Sequence, residues 1–398
     1  MLNYPRWKLY LVLVFIFAAG IVATPNFFAK DRLNVFGNNT QRVNLGLDLQ
    51  GGAYILLQID DVSYLREKVV FLRDEIAEIF RSNDISFSSL VSMPDREYGV
   101  EFLLESTEFS EITKLLSEFG NDIHFKEHEK LVKVFYSDSF LIKTKRNLLN
   151  QSVEIIRRRV DETGTKEPLI QPQGMNRIIV EVPGIEDPER LKTIIGQTAK
   201  LTFHMLHAET PIVSEDMMFI PDGYLLVPSD ELDIDGNPKS YFLANERPDL
   251  SGEGLDDASA AFYQGIPQVN FKFDNQAARD FGVLTSNNVG KLFAIILDDQ
   301  VISAPVIREP ILGGQGVISG DFTLESANDL ALLLRAGALP APIEIIEERT
   351  VGPTLGKDSV ASGKKAVIYA GILVMIMMFV IYGLFGLFAD IALLVNVV

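Results

Sequence analysis

The chain reads as an α+β protein whose folded body lies between two membrane helices. Three features of the sequence predict this. Two charge-free apolar runs, residues 9–29 and 366–384, each match the roughly 20 residues that a helix needs to cross a hydrocarbon core. Between them short strands alternate with amphipathic helices, the pattern of an antiparallel sheet with helices on one face. A stretch rich in Pro, Gly, Asp and Ser at residues 209–266 breaks that alternation and marks an insertion or a mobile lobe.

Arg6 and Lys8 precede the first run and favour a cytoplasmic N-terminus. The length of that run, with Pro25, Phe27 and Phe28 at its end, predicts an uncleaved anchor rather than a signal peptide. Val43, Leu45, Leu47 and Leu49 alternate with Asn44, Gly46 and Asp48, so they read as a half-buried strand. Gly51 and Gly52 break it, and Ala53, Ile55, Leu57 and Ile59 line the next strand. Leu65, Val69, Leu72, Ile76 and Ile79 predict a helix over 62–80, with Asp61 as its cap. Strands at 86–91 and 98–104, a helix at 108–118 and a strand at 131–135 follow. The plan then repeats with a helix at 139–161, a strand at 177–182, a short helix near 187–196 and a strand at 199–205.

Past the irregular stretch come a strand at 268–273, a helix near 275–285 and a hairpin turning at Asp298 and Asp299. Thr323 is placed to cap a helix over 324–336, which Gly337 ends with Pro340 beyond it. A strand at 343–347 leads to the second membrane run. The chain reaches Val398 inside a further apolar run that is too short to span, read as the start of a third membrane helix of a longer protein.

A net charge of −18 removes the basic face that nucleic acid requires, and argues against a body lying flat on anionic lipid. With no cysteine, disulfides and thiolate metal sites are excluded. Gly352–Ser359 (GPTLGKDS) imitates a phosphate-binding loop but has one residue too few between its glycines, and Asp358 stands where a hydroxyl should bind magnesium. A turn at the membrane surface is the expectation there. His124 and His128 straddle a strand end, and His204 and His207 point to opposite faces of a strand, so all four are expected to be exposed and solvated rather than metal ligands. Arg157, Arg158 and Arg159 fan around a helix as a solvated or ion-paired face, with a lipid or partner contact as the alternative. No nucleophile elbow, catalytic triad or zinc signature occurs, so the chain reads as a protein that binds and moves, not an enzyme, with no cofactor.

Five stretches, in order, resemble the SecD family of the bacterial SecDF export complex: Gly46-Leu47-Asp48-Leu49-Gln50-Gly51-Gly52, Val153–Asp161 with its three arginines, Ile178–Gly184, Ala336–Pro342 with Gly337, Pro340 and Pro342, and Val351–Gly356 with Gly352 and Gly356. The resemblance implies a transporter of the RND type. Its large periplasmic domain would be a base of ferredoxin-like repeats and a mobile head, mounted in a multi-pass protein of the inner membrane. Laid on this chain, residues 1–8 are cytoplasmic, 9–29 and 365–384 are membrane helices, 30–204 with 338–364 form the base, 205–337 the head, and 385–398 begin a third span. The implied partners are SecF, the SecYEG channel, SecA indirectly, unfolded preprotein and the bilayer. The implied work is late translocation driven by the proton gradient. The motif residues would be structural or hinge positions. The family's proton-relay Asp lies in a later span and is not matched here; Asp390 reads as interfacial. The rival readings are a membrane-tethered receptor, which needs a preformed polar pocket, and an efflux transporter of the same superfamily.

Overall fold

A computed structural model describes residues 51–93, 97–104, 109–128, 130–164, 168–185, 187–207, 212–213, 220–351 and 353–397, together with Trp7, Tyr10, Val14, Phe17 and Leu47. The rest of the first membrane run, most of the strand expected at 43–49, and Gly46, Asp48, Gln50 and Gly352 lie outside the described residues.

Strand β1 (Gly52–Ile59) is buried along most of its length on both faces, as suits its Leu- and Ile-rich run at the centre of a sheet. Helix α1 (Asp61–Ser82) buries Leu65, Val69, Leu72, Ile76 and Phe80. Its cap is Asp60, whose carboxylate accepts from Ser63 N at 3.0 Å; Asp61, the expected cap, pairs instead with Lys145 at 2.7 Å. Strands β2 (Phe87–Ser92) and β3 (Gly99–Leu104), helix α2 (Phe109–Leu115) and strands β4 (Ile123–His128) and β5 (Leu131–Tyr136) follow. These strands form an all-antiparallel sheet in the order β2-β3-β5-β4. One face buries Val100, Phe102, Val132 and Val134 with Phe80 of α1 and Ile112 of α2.

Helix α3 (Asp138–Glu162) is capped by Ser137, and strands β6 (Leu169–Gln173) and β7 (Arg177–Pro183) make a hairpin. Helix α4 (Pro188–Gly196) starts with proline after the Asp187 cap. The chain then builds a lobe. Its strands are β8 (Leu201–Met205), β9 (Ile212–Val213), β10 (Tyr224–Pro228), β11 (Tyr241–Asn245), β12 (Leu250–Ser251), β13 (Leu255–Tyr263) and β14 (Ile266–Phe273). Helix α5 (Asn275–Asn287), strands β15 (Phe293–Leu297), β16 (Gln300–Ser303) and β17 (Gln315–Ile318), and helix α6 (Leu324–Ala336) complete it. Strand β18 (Ile343–Val351) precedes helices α7 (Pro353–Tyr382) and α8 (Leu384–Val397).

Strands β1, β6, β7 and β18 share one sheet in the order β18-β1-β7-β6. The chain path through them is strand, helix α3, hairpin, helix α4, strand, which is the βαββαβ plan of a ferredoxin-like unit. Two excursions are spliced into it: the α1–β5 unit after β1, and the lobe between α4 and β18. The fold is therefore α+β, with ferredoxin-like construction.

The lobe corrects one expectation. Residues 209–266, read as an insertion or a mobile lobe with fading apolar periodicity, carry β9, β10, β11, β12 and β13. Their sequences hide the pattern because the strands are short or turn polar side chains outward. The lobe core is aromatic: Phe203 packs against Phe271, Phe273, Phe281 and Phe293 with ring centres 5.4–6.3 Å apart.

Residues Ala361–Tyr382 of α7 form a helix long and apolar enough to cross a membrane, one such helix among the described residues. Of the imitation phosphate loop, where a turn was expected, the described residues 353–359, Gly356 included, are already α7. Gly383, at φ 57°, separates α7 from α8, and Gly386 lets the helices touch, since a Cβ there would lie 2.2 Å from Met378 O. Asp390, read as interfacial, is only 9% exposed on α8.

Candidate functional site

The double glycine is a close-approach device. Gly51 and Gly52 have φ of 77° and 139°, and a Cβ on Gly52 would sit 2.2 Å from Val182 O. Gly51 N donates to Leu47 O at 2.8 Å, and Gly51 O accepts from Gly184 N at 2.9 Å. The pair thus seats β1 against the end of β7.

The three arginines part company. Arg157 and Arg158 stay exposed and pair with Glu154 at 3.4 and 3.6 Å. Arg159, also expected on a solvated face, is fully buried. Its guanidinium donates to four backbone carbonyls: Ile194 O at 2.9 Å, Thr198 O at 3.1 Å, Gly337 O at 3.0 Å, and Gln197 O. Its Nε is buried without a partner. Burial pulls the guanidinium down to about 10, opposed by the negative charge of Asp298, so it remains a cation at neutral pH. The helix face explains the burial. Arg159 follows Ser152 and Ile156 on the stripe that α3 turns inward.

Ile194 O lies in the last turn of α4, and the carbonyls of Gln197, Thr198 and Gly337 belong to the two connections that join the ferredoxin-like unit to the lobe. Leu339 N donates to Thr198 O at 2.8 Å, tying the outgoing connection to the returning one. From the lobe side, the Asp298 carboxylate accepts from Ala199 N at 2.9 Å and Lys200 N at 2.8 Å. Ala199 is held at φ 57°, uncommon for a residue with a Cβ, and Gly337 at φ 96° with ψ 163°. Ile194, Ala199, Leu332 and Leu333 close an apolar cluster around the crossing. Pro340 follows, and Pro342 O accepts from Asp60 N at 2.9 Å at the return to the sheet. Arg335 of α6 spans the same junction, pairing with Glu162 of α3 at 2.7 Å and donating to Ala258 O of β13 at 2.7 Å.

The lobe's outer surface is the second feature. Hairpin β13–β14 turns through Gln264 and Gly265 at φ 51° and 84°, the pairing suited to a tight two-residue loop. The register puts Ala258, Val269, Phe271 and Ile318 on the core face and leaves Asp257, Ser259, Ala261, Tyr263, Ile266, Gln268, Asn270, Lys272, Gln315 and Val317 on the other. The charges on this face are Asp257 and Lys272, opposite each other at the end away from the turn, and the residues nearer the turn carry none. Tyr263 and Ile266 are 63% and 61% exposed. Gln268 Nε2 donates to Asn270 Oδ1 at 3.2 Å, leaving other amide valences toward solvent. The sequence assigned residues 205–337 to the head and singled out none of these positions. The signal available was a two-residue Gln-Gly turn between aromatic and aliphatic residues.

The histidine expectation fails at one position. His204 is buried, its Nδ1 donating to Asn245 O at 2.7 Å and its Nε2 within 3.0 Å of Thr202 Oγ1. Desolvation holds its pKa below the ordinary 6.5. His207 packs edge-on to Tyr224. His124 and His128 are exposed on β4, as the second and the last of its residues. Among the described residues, no group of three or more His, Asp or Glu side chains is placed to hold a metal.

Three families match the chain. "SecD/SecF GG Motif" covers residues 40–61, "Protein translocase subunit SecDF, P1 domain, N-terminal" covers 149–208, and "SecDF, P1 head subdomain" covers 226–341. The protein translocase subunit SecD of Rickettsia bellii is 42% identical over 395 residues, covering 99% of this chain and 74% of that protein. The SecD of Acetobacter pasteurianus is 38% identical over 408 residues, covering 99% and 75%. A crystal structure of SecDF in a super-membrane-facing form aligns with 27% identity and a TM-score of 0.48, over 97% of this chain and 41% of that one.

Proposed function

The chain belongs to the SecD family of protein-translocase subunits, and from that premise we propose that the outer face of its lobe around the Gln264–Gly265 turn holds unfolded polypeptide as it leaves the Sec channel. Family membership makes it an auxiliary subunit of the Sec protein-export machinery, and its relatives are membrane translocase components. In this reading the body lies on the periplasmic side of the inner membrane, tethered by the first apolar run and by α7, in a multi-pass protein. It works with SecF beside SecYEG, after SecA, and draws with SecF on the proton motive force. It acts by binding and moving rather than by chemical catalysis. The pairing of β8 with β15 within the lobe supports a border between base and head at the crossing, in place of one after residue 204. Residues 30–197 with 338–364 then form the base.

One observation carries the holding role: a half-apolar sheet face whose turn-proximal part, Ser259–Asn270, bears no charge on a protein of net charge −18, its charges Asp257 and Lys272 lying at the far end. Amide side chains match the hydrogen bonds of an extended backbone, and Tyr263, Ile266 and Val317 accept apolar side chains without demanding a sequence. Photocrosslinkers at Tyr263, Ile266, Gln268 and Val317 in membrane-embedded protein test it, against a stalled secretory chain. The expected result is crosslinks to the chain from these four and none from exposed controls at Gln171 and Asn287. Equal yields from controls, or adducts to lipid alone, would overturn it.

A further inference from the structure

A guanidinium and a carboxylate grip the two ends of one peptide group at the crossing. Thr198 O accepts from Arg159 at 3.1 Å, and the amide of the same unit, Ala199 N, donates to Asp298 at 2.9 Å. We propose that Arg159 and Asp298 are positioning residues that act through the Thr198–Ala199 peptide and set the angle at which the lobe leaves its base.

The two charges come from opposite bodies. Arg159 stands on α3 of the ferredoxin-like unit, and Asp298 on the β15–β16 turn of the lobe. Each end of the peptide dipole faces the opposite charge, and hydrogen bonds in such a chain polarise one another. The two residues form no ion pair with each other; the backbone is the conductor between them. Neighbouring bonds extend the grip: Gln197 O and Gly337 O to Arg159, and Lys200 N to Asp298. The result fixes Ala199 in the left-handed region at φ 57°, a conformation that a residue with a side chain leaves when released. A change of φ at that single residue redirects everything after it, which is the behaviour of a hinge residue. Burial of the cation among carbonyls adds to this, because lowering the local dielectric strengthens each bond. The proposal needs only the fold and stands whether or not the lobe holds polypeptide.

Nitroxide labels test it in the full chain in detergent. The sequence has no cysteine, so Gln171→Cys on β6 and Asn287→Cys at the end of α5 are the only reactive thiols. Pulsed dipolar spectroscopy then reads the distribution of distances between base and lobe. Arg159→Met and Asp298→Asn are each expected to broaden it about twofold, and the double variant no further than the broader single, because both act on one joint. Arg159→Lys, with charge but without the fork, is expected to fall between wild type and Arg159→Met. Should Arg159→Met fail to fold, Asp298→Asn and Ala199→Gly carry the test, and both are expected to broaden the distribution. Hydrogen exchange of β1, β7, β8 and β15 confirms that each body stays intact. Unchanged distributions in Asp298→Asn, or broadenings that add in the double variant, would overturn the proposal.

Discussion

The crossing and the outer face of the lobe break the usual sorting of residues in opposite ways. The crossing buries a charged Arg159 among carbonyls, while the face exposes Tyr263 and Ile266 with no charge beside them, Asp257 and Lys272 lying at its far end. Interiors ordinarily exclude unpaired charge, and acidic surfaces ordinarily carry charge throughout. The first departure yields a joint whose geometry is over-determined by directional bonds. The second yields a surface whose contacts are undirected and tolerant. A protein that must hold many different chains needs both, a fixed mount and an adaptable grip.

The comparison breaks most readily at the joint. Arg159→Met leaves several carbonyls without their donor in a closed site, and is expected to cost about 3 kcal/mol of stability in a urea titration of the full chain in detergent. A loss under about 1 kcal/mol would mean that water replaces the guanidinium and that the joint is not closed.

A smaller effect is expected at His204, where the lobe behaves like a joint rather than a surface. Its folded pKa lies below the ordinary 6.5 because burial disfavours the charged ring. The unfolded chain therefore takes up the proton first, so stability is complete above that ordinary value and falls as the pH drops through it toward the folded pKa. Thermal midpoints of wild type and His204→Gln, compared across that window, should show the extra acid loss in wild type only.

The smallest effect on stability is expected on the face itself. Replacing Tyr263 and Ile266 together by Ser should move the unfolding midpoint by less than about 0.5 kcal/mol while lowering crosslinking to a secretory chain. A large loss of stability would show that these side chains belong to the lobe core and not to a binding surface.

Much of the fold was legible where caps and periodicity agree. The helix over 324–336 shows the expected bounds because Thr323 and Ser326 close a capping box and Gly337 takes a positive φ. The turn at Asp298 and Asp299 was legible from its residue types. Strand β13 was not, since Leu255–Tyr263 (LDDASAAFY) is rich in small and polar residues and lacks an alternating apolar face. The buried Arg159 hid inside a run of three arginines, where composition suggests solvent. Its spacing from Ile156 carried the contrary signal, but spacing alone does not say which partner will satisfy a guanidinium. The four carbonyls come from residues 35 to 178 positions away, and only the folded chain brings them together. The face around Tyr263 depends likewise on strand register.

Hydrogen exchange of the full chain, with and without an unfolded polypeptide, tests the pairing of mount and grip in one measurement. The amides of Ala199, Lys200 and Leu339 are expected to exchange as slowly as those of β8 in both conditions, while the segment from Ala261 to Gln268 slows only when polypeptide is present. Joint amides that exchange as fast as the Gln264–Gly265 turn, together with a hairpin indifferent to polypeptide, would contradict it.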